Sequence, residues 1–119
     1  MDKIQSVEDL LVWQKAHKLV LEIYKVTSYF PQEEKFGMIS QMRRAAISVP
    51  ANISEGFKKR TLKDKVNFYN IAQGSLNELN YYIRLSKDLK YITDSEVMFR
   101  EIDEIGKMLT GLIRSIRSI

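Results

Sequence analysis

The one histidine of this sequence, His17, belongs to the residue type most used for proton transfer, and it stands between Lys15 and Lys18. No cysteine occurs, which removes thiolate nucleophiles, thiolate zinc sites and disulfides together. A di-iron bundle draws a Glu-x-x-His pair from each of two helices, and a single histidine cannot supply both. Ser-His-Asp chemistry has one possible base here and no serine on a strand-to-helix elbow. The Arg-to-His spacing of five found in some small helical ribonucleases also fails, because Val12 holds the arginine position. The glycines at 37, 56, 74, 106 and 111 match neither phosphate-loop nor dinucleotide-loop spacing. Glu55 and Glu78, which lie among polar residues of long helical stretches, are the candidates for a carboxylate pair that hydrolyses without histidine, but nothing in the sequence places them together and their expected use is an ion pair with Arg43 or Arg44. His17 is expected as a partly exposed helix residue. The reading is a protein with no catalytic centre, cofactor or metal.

Binding chemistry is better represented. Between Arg43 and Lys65 the chain carries seven bases against two acids, whereas the remainder holds 12 bases and 13 acids. The formal charge of +4 is therefore concentrated in one segment. Lys58, Lys59, Arg60, Lys63 and Lys65 form its densest part and are the candidate phosphate contacts, since neutralised phosphates drive nucleic-acid affinity. A lysine-rich helix end is also an ordinary solvated surface. Tyr69, Tyr81, Tyr82 and Tyr91 have the ring chemistry to stack on unpaired bases, although tyrosines at helical spacing commonly pack into cores.

These groups must be positioned by helices. Two prolines and five glycines occur in 119 residues, and apolar residues recur at steps of three and four. Four segments are expected, at about 10–29, 34–57, 62–89 and 94–117. The first carries Trp13, Ala16, Val20, Ile23, Tyr24 and Thr27 on one face, with Ser6 and Asp9 as a capping box and Pro31 beyond its end. The second carries Ile39, Met42, Ala46, Val49, Ile53 and Phe57, a stripe that keeps its phase through Pro50 and so predicts one kinked helix. The third opens on Thr61 and Asp64 and carries Phe68, Ala72, Ser75, Leu79, Tyr82, Ser86 and Leu89. The fourth opens on Thr93 and Glu96 and carries Met98, Ile102, Ile105, Leu109, Leu112 and Ile116. Short connections make consecutive helices antiparallel, which predicts an all-α, up-down-up-down four-helix bundle in one domain over 1–119.

The second helix has a further line at steps of three and four: Gln41, Arg44, Ser48, Asn52 and Glu55. Small and neutral residues around it permit close helix approach, and Asn52 or Ser54 could bond backbone groups freed by Pro50. This line is the expected contact with the third helix or with a neighbouring subunit. Residues 1–14 have acids where an export signal needs a basic start, and no apolar run reaches the roughly 18 residues of a membrane span. A cytoplasmic protein without membrane contact is expected.

Several stretches carry a resemblance: DLLVWQKA from Asp9, FPQEEKFGMISQMRRAAISVPANISEG from Phe30, IAQGSLNEL from Ile71 and KMLTGLIRSI from Lys107. Across nearly its whole length the chain resembles the bacterial four-helix-bundle family named for proteins encoded within intervening sequences of 23S ribosomal RNA genes. That resemblance implies an antiparallel bundle assembled as a ring, commonly a homopentamer, without established enzymatic activity. It also implies association with RNA or the ribosome. The alternative is a protein-interaction scaffold or accessory subunit for a co-encoded enzyme such as a reverse transcriptase, the role of a more distant relative.

Overall fold

The computed structural model describes residues 3–119. Four helices, α1 (Leu11–Thr27), α2 (Met38–Lys58), α3 (Leu62–Asp88) and α4 (Glu96–Arg117), make an antiparallel four-helix bundle measuring 46 × 27 × 21 Å. Each packs on its neighbour in sequence and α4 closes on α1, with α2 and α3 sharing the longest contact. Ala16, Leu19 and Ile23 of α1 meet Met42, Val49 and Ile53 of α2, Leu76, Leu79 and Ile83 of α3, and Ile105 and Leu109 of α4 in a continuous core.

Helix α2 runs unbroken through Pro50, as its apolar phasing predicts. Its beginning differs from expectation. Gln32–Glu34 form a separate short 3-10 turn, and α2 starts only after Gly37. Glu34 explains the delay: its Oε1 accepts a hydrogen bond from the Met38 N–H at 3.4 Å, and its Oε2 accepts one from the Tyr91 hydroxyl at 2.9 Å. The acid thus sits ahead of the helix, where its charge complements the positive end of the helix dipole, and ties the α1–α2 connection to the α3–α4 turn.

Helix α1 ends at Thr27, not 29, and α4 begins at Glu96 behind Ser95. Thr93 and Glu96 therefore form no capping box. The Thr61 cap is present, its hydroxyl accepting from the Asp64 N–H at 3.1 Å. Asp9 accepts from the N–H groups of Gln5 and Ser6, which holds its carboxyl below the usual range. These bonds belong to a short 3-10 turn, Val7–Asp9, that precedes α1.

The buried face of α3 is turned relative to the expected one. Ala72, Leu79 and Ser86 are buried as predicted, but Tyr69, Leu76 and Ile83 replace Phe68, Ser75 and Tyr82, and Leu89 is exposed. Aliphatic bulk accounts for two of the three exchanges, because Leu76 and Ile83 bury more apolar area than Ser75 or Tyr82, whose hydroxyl stays at the surface to bond Glu78. In α1 the same effect draws in Val12 and Leu19 and leaves Tyr24 exposed, while in α4 Ile113 replaces Leu112.

Candidate nucleic-acid interface

Antiparallel packing brings the α2–α3 turn and the last turn of α4 to one end of the bundle. The five bases of the turn do not share one role there. Lys58, Arg60 and Lys63 are exposed. Lys65 is partly buried and donates to the carbonyls of Phe57 at 2.8 Å and Gly56 at 3.3 Å. It therefore caps the final carbonyls of α2, where a cation also complements the dipole. Lys59 lies 5.0 Å from the centroid of the Phe68 ring, a cation–π contact.

Arg117, outside the basic segment of the sequence, joins this end from α4. It lines a shallow cavity of about 360 Å³ together with Lys63, Leu62, Val66 and Ile116. Arg114 and Arg117 line the adjoining hollow beside Asn70. The missed signal was topological: in an up-down-up-down bundle the C-terminal turn of α4 must lie beside the α2–α3 turn. Arg43 and Arg44 belong elsewhere, 15 and 14 residues up α2 from Lys58, which is about 21–22 Å. Arg43 donates to Thr27 Oγ1 at 3.0 Å and to the Tyr24 carbonyl at 3.4 Å, with its guanidinium 4.4 Å from the Tyr24 ring centroid. Its charge serves the C-terminus of α1, so the basic segment is continuous in sequence and divided in space.

The polar line of α2 divides similarly. Gln41, Arg44 and Glu55 are exposed, whereas Ser48 and Asn52 are partly buried beside α3. The Ser48 and Ser75 hydroxyls meet at 2.7 Å, and Asn52 Nδ2 donates to Ser48 Oγ and to the Ser48 carbonyl. Asn52 thus bonds Ser48 rather than the Ala46 carbonyl that Pro50 leaves without its usual partner. Ser54 is used on the opposite side, accepting from Trp13 Nε1 at 3.1 Å.

Among the described residues Glu55 and Glu78 make no ion pair with Arg43 or Arg44, contrary to expectation; Glu78 instead accepts from the Tyr82 hydroxyl at 3.1 Å. The ion pairs present are Lys15–Glu104, Lys18–Glu22 and Lys107–Asp103. His17 is exposed and stacks on Trp13, with centroids 5.1 Å apart and planes 8° from parallel. Of the four tyrosines considered for base stacking, Tyr81 alone is exposed. Burial raises the Tyr69 phenol, and the bond to Glu34 raises that of Tyr91. Burial, then the Glu78 contact, raises Tyr82. Among the described residues no group of three or more His, Asp or Glu side chains could hold a metal ion, and no helix is long and apolar enough to cross a membrane.

Comparison with known proteins places this geometry. No curated protein sequence matches the chain. A crystal structure of a protein of unknown function from the S23 ribosomal protein family of Bacteroides thetaiotaomicron superimposes with a TM-score of 0.78 at 30% identity, covering 87% of this chain and 98% of that one. The family model for 23S rRNA-intervening sequence proteins matches residues 8–111. With both the sequence model and the bundle in agreement, the chain belongs to the family of 23S rRNA-intervening sequence proteins.

Proposed function

We propose that this protein is a non-enzymatic, homo-oligomeric bundle that binds RNA through its basic end. The observation that carries the reading is the convergence of exposed Lys58, Arg60 and Lys63 with Arg117 from the far end of the chain. Lys59 and Lys65 border the same surface while serving the fold. A homo-oligomer, the pentamer implied by the resemblance, repeats this cluster in every subunit, and linked sites raise avidity without new contacts. The exposed ends of the α2 polar line, Gln41, Arg44 and Glu55, are the surface assigned to the neighbouring subunit.

A salt titration of RNA binding tests the reading. Four phosphates neutralised per subunit, one each by Lys58, Arg60, Lys63 and Arg117, correspond to a slope of about −3 in log affinity against log salt for a single strand. Replacement of Lys58, Lys59 and Arg60 by glutamate is expected to abolish binding at about 50 mM salt. Absence of binding by the native protein at that salt, or indifference to the triple substitution, overturns it. Light scattering tests assembly separately, a monomer at micromolar concentration being the adverse result.

One observation favours a second reading, a scaffold or accessory subunit for a protein partner. An apolar cleft of about 240 Å³ lies between α1 and α2, lined by Trp13, His17, Ile47 and Pro50 among others. Purification from native cells after nuclease treatment separates the two readings, since a stoichiometric protein retained there supports the scaffold.

A further inference from the structure

The basic end does not stop at the turn. From it a groove runs along the α3–α4 seam as two hollows of about 290 and 570 Å³. Gln73 divides them by donating across the seam to Thr110 Oγ1 at 2.8 Å and to the Gly106 carbonyl at 3.4 Å. The α3 wall is a row of carboxamides at steps of three and four: Asn70, Gln73, Asn77 and Asn80. The opposite wall brings Arg114 and Arg117 near the basic end, while Lys107, further along, is held by Asp103 at 3.1 Å. Positive charge therefore falls off along the groove and neutral hydrogen-bonding groups take over.

Gln73 is accounted for by these bonds across the seam, and the three asparagines are not. Asparagine is among the weaker helix formers, yet Asn70, Asn77 and Asn80 occupy the interior of α3 and make no side-chain hydrogen bond among the described residues. Gly111 sits on the other wall, and a Cβ built there meets nothing within 4 Å. The two helices forgo propensity at these positions without gaining a side-chain hydrogen bond among the described residues.

We propose that the α3–α4 seam is a groove for single-stranded RNA, in which Arg114 and Arg117 hold phosphates and the Asn70, Asn77 and Asn80 carboxamides read base edges. This inference rests on the RNA-binding reading and extends its site away from the turn. Carboxamides suit the task because each offers a donor and an acceptor side by side, the pair that adenine matches with N6 and N7. Unpaired bases expose such edges, whereas an A-form duplex hides them in its deep, narrow major groove. The row from Asn70 to Asn80 spans about 15 Å along the helix, roughly four stacked nucleotides at ~3.4 Å each.

The test is fluorescence anisotropy with labelled 12-nucleotide oligoadenylate and oligouridylate, and with a duplex RNA of equal length. The paired substitution Asn77→Ala, Asn80→Ala alters no charge and improves helix propensity, so the fold is retained and thermal stability serves as the control. The expected result is a native preference for oligoadenylate and a loss of about tenfold in its affinity, the scale of one bidentate base contact. The salt slope and duplex affinity stay unchanged. Arg114→Glu with Arg117→Glu is expected to weaken every RNA and to lower the salt slope by about 1.4. If the asparagine pair binds all three RNAs as the native protein does while the Lys58, Lys59 and Arg60 variant binds none, the groove is wrong and the basic end stands. If the native protein binds none of them, both fall. An asparagine pair that changes subunit count by light scattering while leaving RNA affinity intact assigns the groove to a protein contact and overturns the proposal.

Discussion

The Tyr69 ring lies so close to Gly56 that a Cβ added to the glycine would stand 2.6 Å from Tyr69 Cε1 and 2.9 Å from Cδ1. This contact joins the last turn of α2 to the first turns of α3 and fixes the geometry of the basic turn between them. Tyr69 is 3% exposed and has little room to retreat. Gly56→Ala is expected to cost about 1–3 kcal/mol from overpacking, partly offset by about 1 kcal/mol of helix propensity. Chemical denaturation should show a net loss, and adding Tyr69→Leu should make the two effects less than additive.

Lys65 offers a contrast within the basic cluster. Because its ammonium bonds the Phe57 and Gly56 carbonyls, Lys65→Met is expected to lower stability by about 0.5–1 kcal/mol. Lys58→Ala and Arg60→Ala, at exposed positions, should remain within about 0.5 kcal/mol of the native protein. Denaturant midpoints separate the lysine that serves the fold from the bases available to a ligand.

Lys90 is the one non-glycine among the described residues with positive φ, at 67°. It ends α3 in a Schellman turn, with the Tyr91 N–H bonding the Ser86 carbonyl and the Lys90 N–H bonding the Lys87 carbonyl. Left-handed backbone strains a side chain with a Cβ, so Lys90→Gly is expected to raise stability by about 1 kcal/mol. A higher thermal midpoint is the readout.

Acidity near neutrality should tune the α1–α4 seam. Glu101 is partly buried, and its carboxyl is pushed up to about 7, first by burial and then by the Glu22 carboxylate, against the opposing charges of Lys18 and Lys15. Its folded value exceeds the unfolded one, so the folded state binds the extra proton between about pH 4.5 and 7. The corresponding stability is present below that window and lost as pH rises through it, on the order of 1 kcal/mol after solvent screening. Glu101→Gln should flatten this part of the stability profile, as measured by denaturation from pH 5 to 8.

Much of the fold was legible because burial of aliphatic side chains imposes its period directly on the chain. The stripe from Met42 through Val49 to Ile53 carried α2 across Pro50, and the Thr61–Asp64 cap marked where α3 begins. The start of α2 was hidden because Glu34 is held by Tyr91, a residue of a different turn. The placement of the bases was half legible: Lys58, Arg60 and Lys63 are neighbours in sequence and remain exposed on one turn.

Taken alone, the sequence determined that this protein has four amphipathic helices, no thiol and a single histidine, since composition and periodicity are local properties. Tertiary structure decided which charges lie together. It drew Arg43 away to the end of α1, brought Arg117 beside Lys63, and set the asparagines of α3 across a groove from Arg114. Antiparallel packing is the reason, because helices that reverse direction bring together side chains that lie far apart along the chain, and no local pattern records that meeting.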